Sequence, residues 1–226
     1  MTVPTATPGV HPGAHPDKRP GPGGDTKPSA NPGTDPLLPV GGEYRHSTGI
    51  WGMWTLIATE ASLFAYLLFS YFYVASQNEG SWPPFGPPEL LKPTLNTGLL
   101  LASSACAWWA DRNGKRGRRG RIVLGLLGAL ALGVAFMAVQ FGEWRRKPFS
   151  VTTDPYGSLY FTITGFHMLH VAVGLLILAA LLTWAGLGYF GQRRHAGLSV
   201  GILYWHFVDA VWLVVYASLF LAPQLR

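Results

Sequence analysis

Residues 157–187, GSLYFTITGFHMLHVAVGLLILAALLTWAGL, run for 31 positions without a single Asp, Glu, Lys or Arg. About 20 apolar residues carry a helix across the hydrocarbon of a bilayer, so this stretch is long enough to span one. Comparable runs lie on both sides of it, at roughly 48–76, 93–111, 121–144 and 199–222. Pro83, Pro84, Pro87 and Pro88 punctuate the first link, residues 113–120 the second, 147–155 the third and 191–197 the fourth. The pattern predicts an all-α, polytopic membrane protein built as a bundle of five transmembrane helices.

Composition agrees: of 226 residues, 49% are hydrophobic and 12% charged, with a mean hydropathy of +0.22, as in an integral membrane protein. Cys106 has no second thiol, which excludes an intrachain disulfide, a CxxC redox pair and a CxxCH haem attachment. The net charge of +6 does not call for nucleic acid, because the basic residues sit in the tail and the short links, where topology accounts for them.

Residues 1–42, MTVPTATPGVHPGAHPDKRPGPGGDTKPSANPGTDPLLPVGG, are crowded with Pro and Gly and hold no apolar run, so they are predicted to be a disordered tail ahead of a transmembrane domain at 43–226. No uninterrupted apolar stretch makes a secretory signal of the tail, and Asp17, Asp25 and Asp35 with the prolines argue against a transit peptide. A bacterial inner membrane is the simplest home.

Five spans put the termini on opposite sides. With the N-terminus inside, the inner face collects twelve of the seventeen Lys and Arg residues: Lys18, Arg19, Lys27 and Arg45 of the tail, the link from Arg112 to Arg121, and the pair Arg193 and Arg194. The outer face keeps Lys92, Arg145, Arg146, Lys147 and Arg226. This bias predicts a cytoplasmic N-terminus and an external, periplasmic C-terminus, with Glu143 and Asp154 partly neutralising the outer basic cluster.

Ionisable groups inside the spans mark where function is to be sought. At about 1.5 Å of rise per residue, Glu60, His167 and Asp209 fall near one central plane, where they are able to meet. His167 with His170, and His206 with Asp209, are spaced i to i+3 and share one helix face each. Thr162, Thr164 and Tyr204 are available to satisfy remaining hydrogen-bond capacity. Two readings stay open for the histidines: interhelical glue, or a site. Glu60 has no counter-charge among its neighbours Ala58, Ala61, Leu63 and Phe64, so either it handles protons or it bonds a facing backbone, and its partner decides which. Imidazole also ligates metals, and His170 facing His206 would suit a haem with two axial histidines. No nucleophile elbow, Walker loop, HExxH or Rossmann glycine pattern occurs, and no catalytic residue is assigned. Such a chain supports chemistry done elsewhere.

Gly125, Ala129 and Gly133 form a small-residue stripe where another backbone can approach, as in a multi-subunit bundle. Trp51, Trp54, Trp82, Trp108, Trp109 and Trp144 fall toward span ends, where indole rings anchor at the interface.

Taken together, WTLIATEASLFAYLLFSYFY with Glu60, LNTGLLLASS, VQFGEW with Gln140 and Glu143 at the membrane edge, ITGFHMLHVAVG and YWHFVDAVWLVVY resemble subunit III of the haem–copper terminal oxidases, cytochrome c oxidase subunit 3, in its five-helix bacterial form. The resemblance covers roughly residues 46–223. It implies an accessory subunit of a proton-pumping oxidase that reduces oxygen to water. Such a subunit binds no haem or copper itself, since those lie in partner subunits, and no metal is expected on this chain. Its implied partners are subunit I directly, subunit II, and small subunits or a respiratory supercomplex. The implied roles are stabilising subunit I and supporting proton uptake, with the acid at the Glu60 position tied to them and to a bound phospholipid. Subunit III of a quinol oxidase and an accessory protein of nitric oxide reductase share the same pattern. A reading of another class is a small haem-binding or transport protein using His167, His170 and His206.

Overall fold

The computed structural model describes residues 48–190 and 195–225. The expected disordered tail at 1–42 lies outside them, as do Lys18, Arg19, Lys27, Arg45, Arg193, Arg194 and Arg226 from the charge count. Five helices make up the fold: α1 (Thr48–Gln77), α2 (Leu91–Gly114), α3 (Arg119–Arg146), α4 (Pro155–Leu187) and α5 (Ala196–Tyr216). A π-helical turn, Ala217–Leu221, and a 3-10 turn, Ala222–Gln224, extend α5. The all-α class is therefore as expected.

Four helices, α1, α3, α4 and α5 with its turns, are long and apolar enough to cross a membrane. The fifth, α2, is not, which departs from the expectation of five equivalent spans. Its sequence explains the difference, because Asn96, Thr97, Ser103, Ser104, Asp111 and Asn113 lower its hydropathy. Most of these side chains point inward: Asn96, Thr97, Ser103 and Asn113 are buried.

The ends of α4 show how local sequence sets the element. Asp154 accepts a hydrogen bond from Gly157 N at 2.6 Å, and Pro155 follows at the first helical position, a cap and a starter in sequence. At the other end Gly188 takes φ +86°, a conformation that a residue with a Cβ resists. Arg119 of α3 closes this terminus, donating from Nε to Ala185 O at 3.1 Å and from Nη2 to Gly186 O. A cation is favoured there because the last carbonyls carry the negative end of the helix dipole.

The short link between α2 and α3 makes them antiparallel neighbours, and the small stripe is where they meet. A Cβ at Gly125 would sit 2.9 Å from both Ala110 Cβ and Cys106 O. Ala129 O accepts from Ser103 Oγ at 2.9 Å. At Gly133 the neighbour is the Trp205 indole, 2.8 Å from a Cβ built there. The stripe thus serves packing within this chain rather than contact with another subunit. Gly125→Leu is expected to force α2 and α3 apart at a cost of about 1–3 kcal/mol. A lowered midpoint in detergent-induced unfolding would show it, whereas a wild-type midpoint would contradict the close approach.

Trp205 and Trp212 of α5 are fully buried, and the core is built around α4 and α5. By contrast α1 leaves Trp51, Trp54, Tyr66, Phe69 and Tyr73 exposed. Of the tryptophans expected as anchors, Trp51, Trp54, Trp108 and Trp109 are exposed, while Trp82 and Trp144 pack against the core.

Candidate functional site

Glu60 of α1 finds its partner on α4: its Oε2 lies 3.0 Å from His170 Nε2. This replaces the absence of a counter-charge expected from its sequence neighbours, because the contact joins residues 110 positions apart. The other ring nitrogen, Nδ1, lies 2.6 Å from Phe166 O. A carbonyl oxygen only accepts, so Nδ1 carries a hydrogen and donates. Nε2 then has two options. In a neutral ring it accepts, and Glu60 must be the protonated donor; in a cationic ring it donates, and Glu60 is a carboxylate. Either way, the Nε2···Oε2 contact holds one proton that both partners can carry. Phe64 covers the imidazole edge-on, with ring centroids 5.1 Å apart.

The pair borders a cleft of about 430 Å³ between α1 and α4, walled by Leu56, Leu63, Leu169, Val173 and Tyr204. The walls are apolar apart from Glu60, His170 and the Tyr204 phenol. A small polar pair thus faces a space suited to hydrocarbon.

His167 and Asp209 do not join Glu60, although all three lie at similar depth. Rotation about each helix axis separates them. His167 is fully buried, with its ring 4.8 Å from that of Trp212 and 6.0 Å from Phe136. Neither of its nitrogens has a hydrogen-bond partner among the described residues. Asp209 belongs to a second group on α5, where Oδ2 is 4.0 Å from His206 Nδ1 and Ser104 Oγ of α2 is 2.6 Å from the same nitrogen. Serine and carboxylate therefore approach one ring nitrogen, which is not the arrangement of a hydrolytic triad, where they take opposite ones. Thr164 is spent on its own helix, donating to Tyr160 O at 2.6 Å.

Ser104 is one rung of a longer seam between α2 and α5 that the sequence reading passed over. From one end to the other, Ser199 Oγ donates to Asp111 Oδ1, Ser104 meets His206, Trp205 Nε1 donates to Ser103 Oγ at 3.0 Å, Trp212 Nε1 donates to Thr97 Oγ1 at 2.9 Å, and Thr94 meets Tyr216. Ser103 and Thr97 each pass their own hydrogen to a backbone carbonyl, Ala129 O and Pro93 O, so both hydroxyls donate and accept. Thr97, Ser104 and Asp111 are spaced by seven, as are Ser199 and His206, and Trp205 and Trp212. This heptad spacing keeps one face of each helix on the other along an antiparallel pair, and it was available in the sequence.

The remaining expected residues lie toward the opposite end. Gln140 is buried, its Oε1 3.4 Å from Asn96 Nδ2. Glu143 lies 4.0 Å from both Arg146 and Lys92, while Asp154 caps α4 instead of neutralising the basic cluster. Burial holds the Lys147 ammonium below the usual lysine range, with Glu143 opposing the shift, and its Nζ sits 5.4 Å from the Tyr160 ring centre. Among the described residues, no group of three His, Cys, Asp or Glu side chains converges as a metal site.

Residues 45–223 match the family model described as cytochrome c oxidase subunit III. The chain is 35% identical over 179 residues to cytochrome c oxidase subunit 3 of Pongo pygmaeus, an alignment covering 75% of this chain and 68% of that protein. It is 36% identical over 179 residues to the Sus scrofa protein of that name, with the same coverage. For the Lumbricus terrestris protein the figures are 35% over 182 residues, 77% of this chain and 70% of that one. With the family model matching residues 45–223 and these relatives 35–36% identical over at least three quarters of its length, this membrane protein belongs to the cytochrome c oxidase subunit III family.

Proposed function

We propose that the chain is the accessory, non-redox subunit III of a proton-pumping haem–copper terminal oxidase in a bacterial inner membrane. In this reading it assembles directly with catalytic subunit I, and with subunit II. All five helices cross the bilayer, with the N-terminus cytoplasmic as the Lys and Arg bias indicates. The inward polar seam supports a spanning α2, because its low hydropathy is turned toward α5 rather than toward lipid.

The observation that carries a proton-supporting role is the Glu60–His170 contact, which holds one transferable proton beside an apolar cleft. The pair takes up a proton by forming an N–H or O–H bond and releases it by breaking that bond, and the cleft accommodates the acyl chains of a phospholipid. Haem and copper are assigned to the partner subunits. His170 supports that assignment because both of its nitrogens are engaged, whereas an axial haem ligand needs a free one.

The test is purification of the tagged chain from its own membrane, with partners identified by mass spectrometry, alongside a visible spectrum of the chain alone. Subunits I and II in stoichiometric amounts, and a featureless spectrum for the isolated chain, are expected. A sharp reduced haem band on the isolated chain, or its recovery without oxidase subunits, would overturn the proposal.

A further inference from the structure

A second cavity, of about 290 Å³, opens among the first turns of α1 and α5 and the last turns of α2, and it shares no lining residue with the Glu60 cleft. Its mouth is polar: Lys115 Nζ lies 2.8 Å from Asp111 Oδ2, and Ser199 donates to the same carboxylate. Its far end is His206. That ring stands ten residues into α5, about 15 Å along the axis, which is half of a hydrocarbon layer about 30 Å thick. The cavity therefore reaches from the membrane surface at the basic link to near mid-membrane, and it ends on a titratable side chain.

The two nitrogens of that ring differ. Nδ1 is 2.6 Å from Ser104 Oγ, with Asp209 Oδ2 behind it at 4.0 Å. Nε2, at the other edge, has no hydrogen-bond partner among the described residues, yet it is not enclosed by protein. Exposure follows the same direction, 34% for the His206 side chain against 5% for that of Asp209. The imidazole thus separates an open cavity from an enclosed acid, whose two oxygens have no hydrogen-bond partner among the described residues. A ring nitrogen without a partner is costly in a dry space, and hydrocarbon offers it none. Water does, and the volume holds on the order of ten molecules. Bonded to Asp111, Lys115 and Ser199 at one end and to Nε2 at the other, such a column has polar partners at both ends, while Trp54 and Trp108 confine it from the sides.

We propose that this cavity is a water-filled, one-ended path through which His206 exchanges protons with the membrane surface, and that Asp209 behind the ring balances the charge it gains. With its hydrogen on Nδ1 and donated to Ser104 Oγ, the ring presents the Nε2 lone pair to the water column. A hydronium there loses one O–H bond as the Nε2–H bond forms, water is left in the cavity, and the imidazolium faces the Asp209 carboxylate. Release reverses each bond. The other charged groups toward the ring are Asp111 and Lys115 of α2, paired with one another, while α1 contributes the uncharged Ile50 and Trp54. Onward transfer along the seam is blocked, because the indoles on either side of Asp209, Trp205 and Trp212, only donate. The site is accordingly a proton reservoir filled and emptied from one side.

The inference rests on neither the oxidase reading nor the Glu60 pair, and its test involves neither. The full chain in nanodiscs is treated with a charged, water-soluble methanethiosulfonate, and the Cys106 background of the unaltered chain is subtracted. Leu203→Cys, in the cavity wall, is expected to react at least roughly tenfold faster than a thiol in lipid, since only a thiolate reacts and hydrocarbon keeps the thiol protonated. Leu176→Cys on α4, where the leucine is 72% exposed, supplies the lipid-facing comparison. Nitrogen-15 NMR of the imidazoles, assigned with His206→Gln, then follows protonation as bulk pH is varied. The His206 signal should titrate, and Asp209→Asn should move its midpoint down by about 1–3 pH units, because the carboxylate that favours the cation is gone. Leu203→Trp, which fills the cavity and leaves every charge in place, should abolish the response, whereas Glu60→Gln should leave it unchanged. Equal thiol reactivity at the two positions, a His206 signal indifferent to bulk pH, or an unmoved midpoint in Asp209→Asn would each overturn the assignment.

Discussion

Trp205→Ala is expected to lower the unfolding free energy of the chain by about 3–5 kcal/mol. The indole belongs to α5 and touches three other helices at once. Cβ atoms built at Gly133 of α3 and Gly174 of α4 would lie 2.8 Å and 2.7 Å from its ring carbons, so the ring fills a slot that two absent side chains leave open. Its Nε1 donates to Ser103 Oγ on α2 at 3.0 Å, and that hydroxyl continues to Ala129 O on α3. Lipid chains solvate apolar surface about as well as a protein interior does, so the loss comes from packing and from the hydrogen bond rather than from exposure to water. That places the effect toward the lower end of the range. Detergent-induced unfolding followed by far-UV circular dichroism measures it, with Trp51→Ala as the comparison. Trp51 is 74% exposed, and its removal should cost no more than about 0.5 kcal/mol. Equal shifts for the two variants would remove Trp205 from the centre of the packing. Gly133→Val and Gly174→Val attack the same slot from its walls, and both should reduce the amount of folded chain in the membrane.

The second large effect is on function. Glu60→Gln keeps a donor opposite His170, because a carboxamide N–H can bond Nε2 much as a protonated carboxyl does, yet it cannot hand that hydrogen over. Assembly should therefore be retained, within about 0.5 kcal/mol of wild-type stability. Over repeated turnover, the complex should lose activity faster than wild type. Glu60→Leu differs on both counts: it strands a largely buried imidazole nitrogen at a cost of about 1–3 kcal/mol and removes the proton as well. Comparing the two separates the bond from the proton. If the Gln variant keeps a wild-type working lifetime, the pair is glue between α1 and α4, whatever the Leu variant does.

Much of this architecture is readable from the chain itself. The apolar runs located all five helices to within a few residues, because a span must be long and nearly free of charge. The i to i+3 spacing set His206 and Asp209 side by side on α5, 4.0 Å apart, whereas on α4 His167 turns to Trp212 and His170 to Glu60. Which face of one helix meets which face of another is a rotational question, and depth alone did not answer it. Glu60, His167 and Asp209 share a plane, yet Glu60 turns to His170, His167 to Trp212, and Asp209 toward His206. The stripe at Gly125, Ala129 and Gly133 was read as an invitation to another subunit, whereas the chain fills it with α2 and with an indole from α5. The seam on α2 went unread for a different reason: serine and threonine look like ordinary loss of hydropathy until their seven-residue spacing is set against that of α5.

That seam has a consequence for how the protein is made. An insertion machine that weighs each emerging segment separately would find α2 a poor candidate for release into lipid, since Asn96, Thr97, Ser103, Ser104 and Asp111 are individually unwelcome there. All of them except Asn96, which meets Gln140 of α3, find a partner on α5, which is synthesised more than eighty residues later. Until then α2 has only α3 to shelter beside, joined to it by a four-residue link and already offering Ala129 O to Ser103. Biogenesis would thus proceed by delivery of α2 and α3 as a hairpin held at the translocon or in a chaperone's keeping, and a nascent chain arrested before α5 would be the form most exposed to quality-control proteolysis.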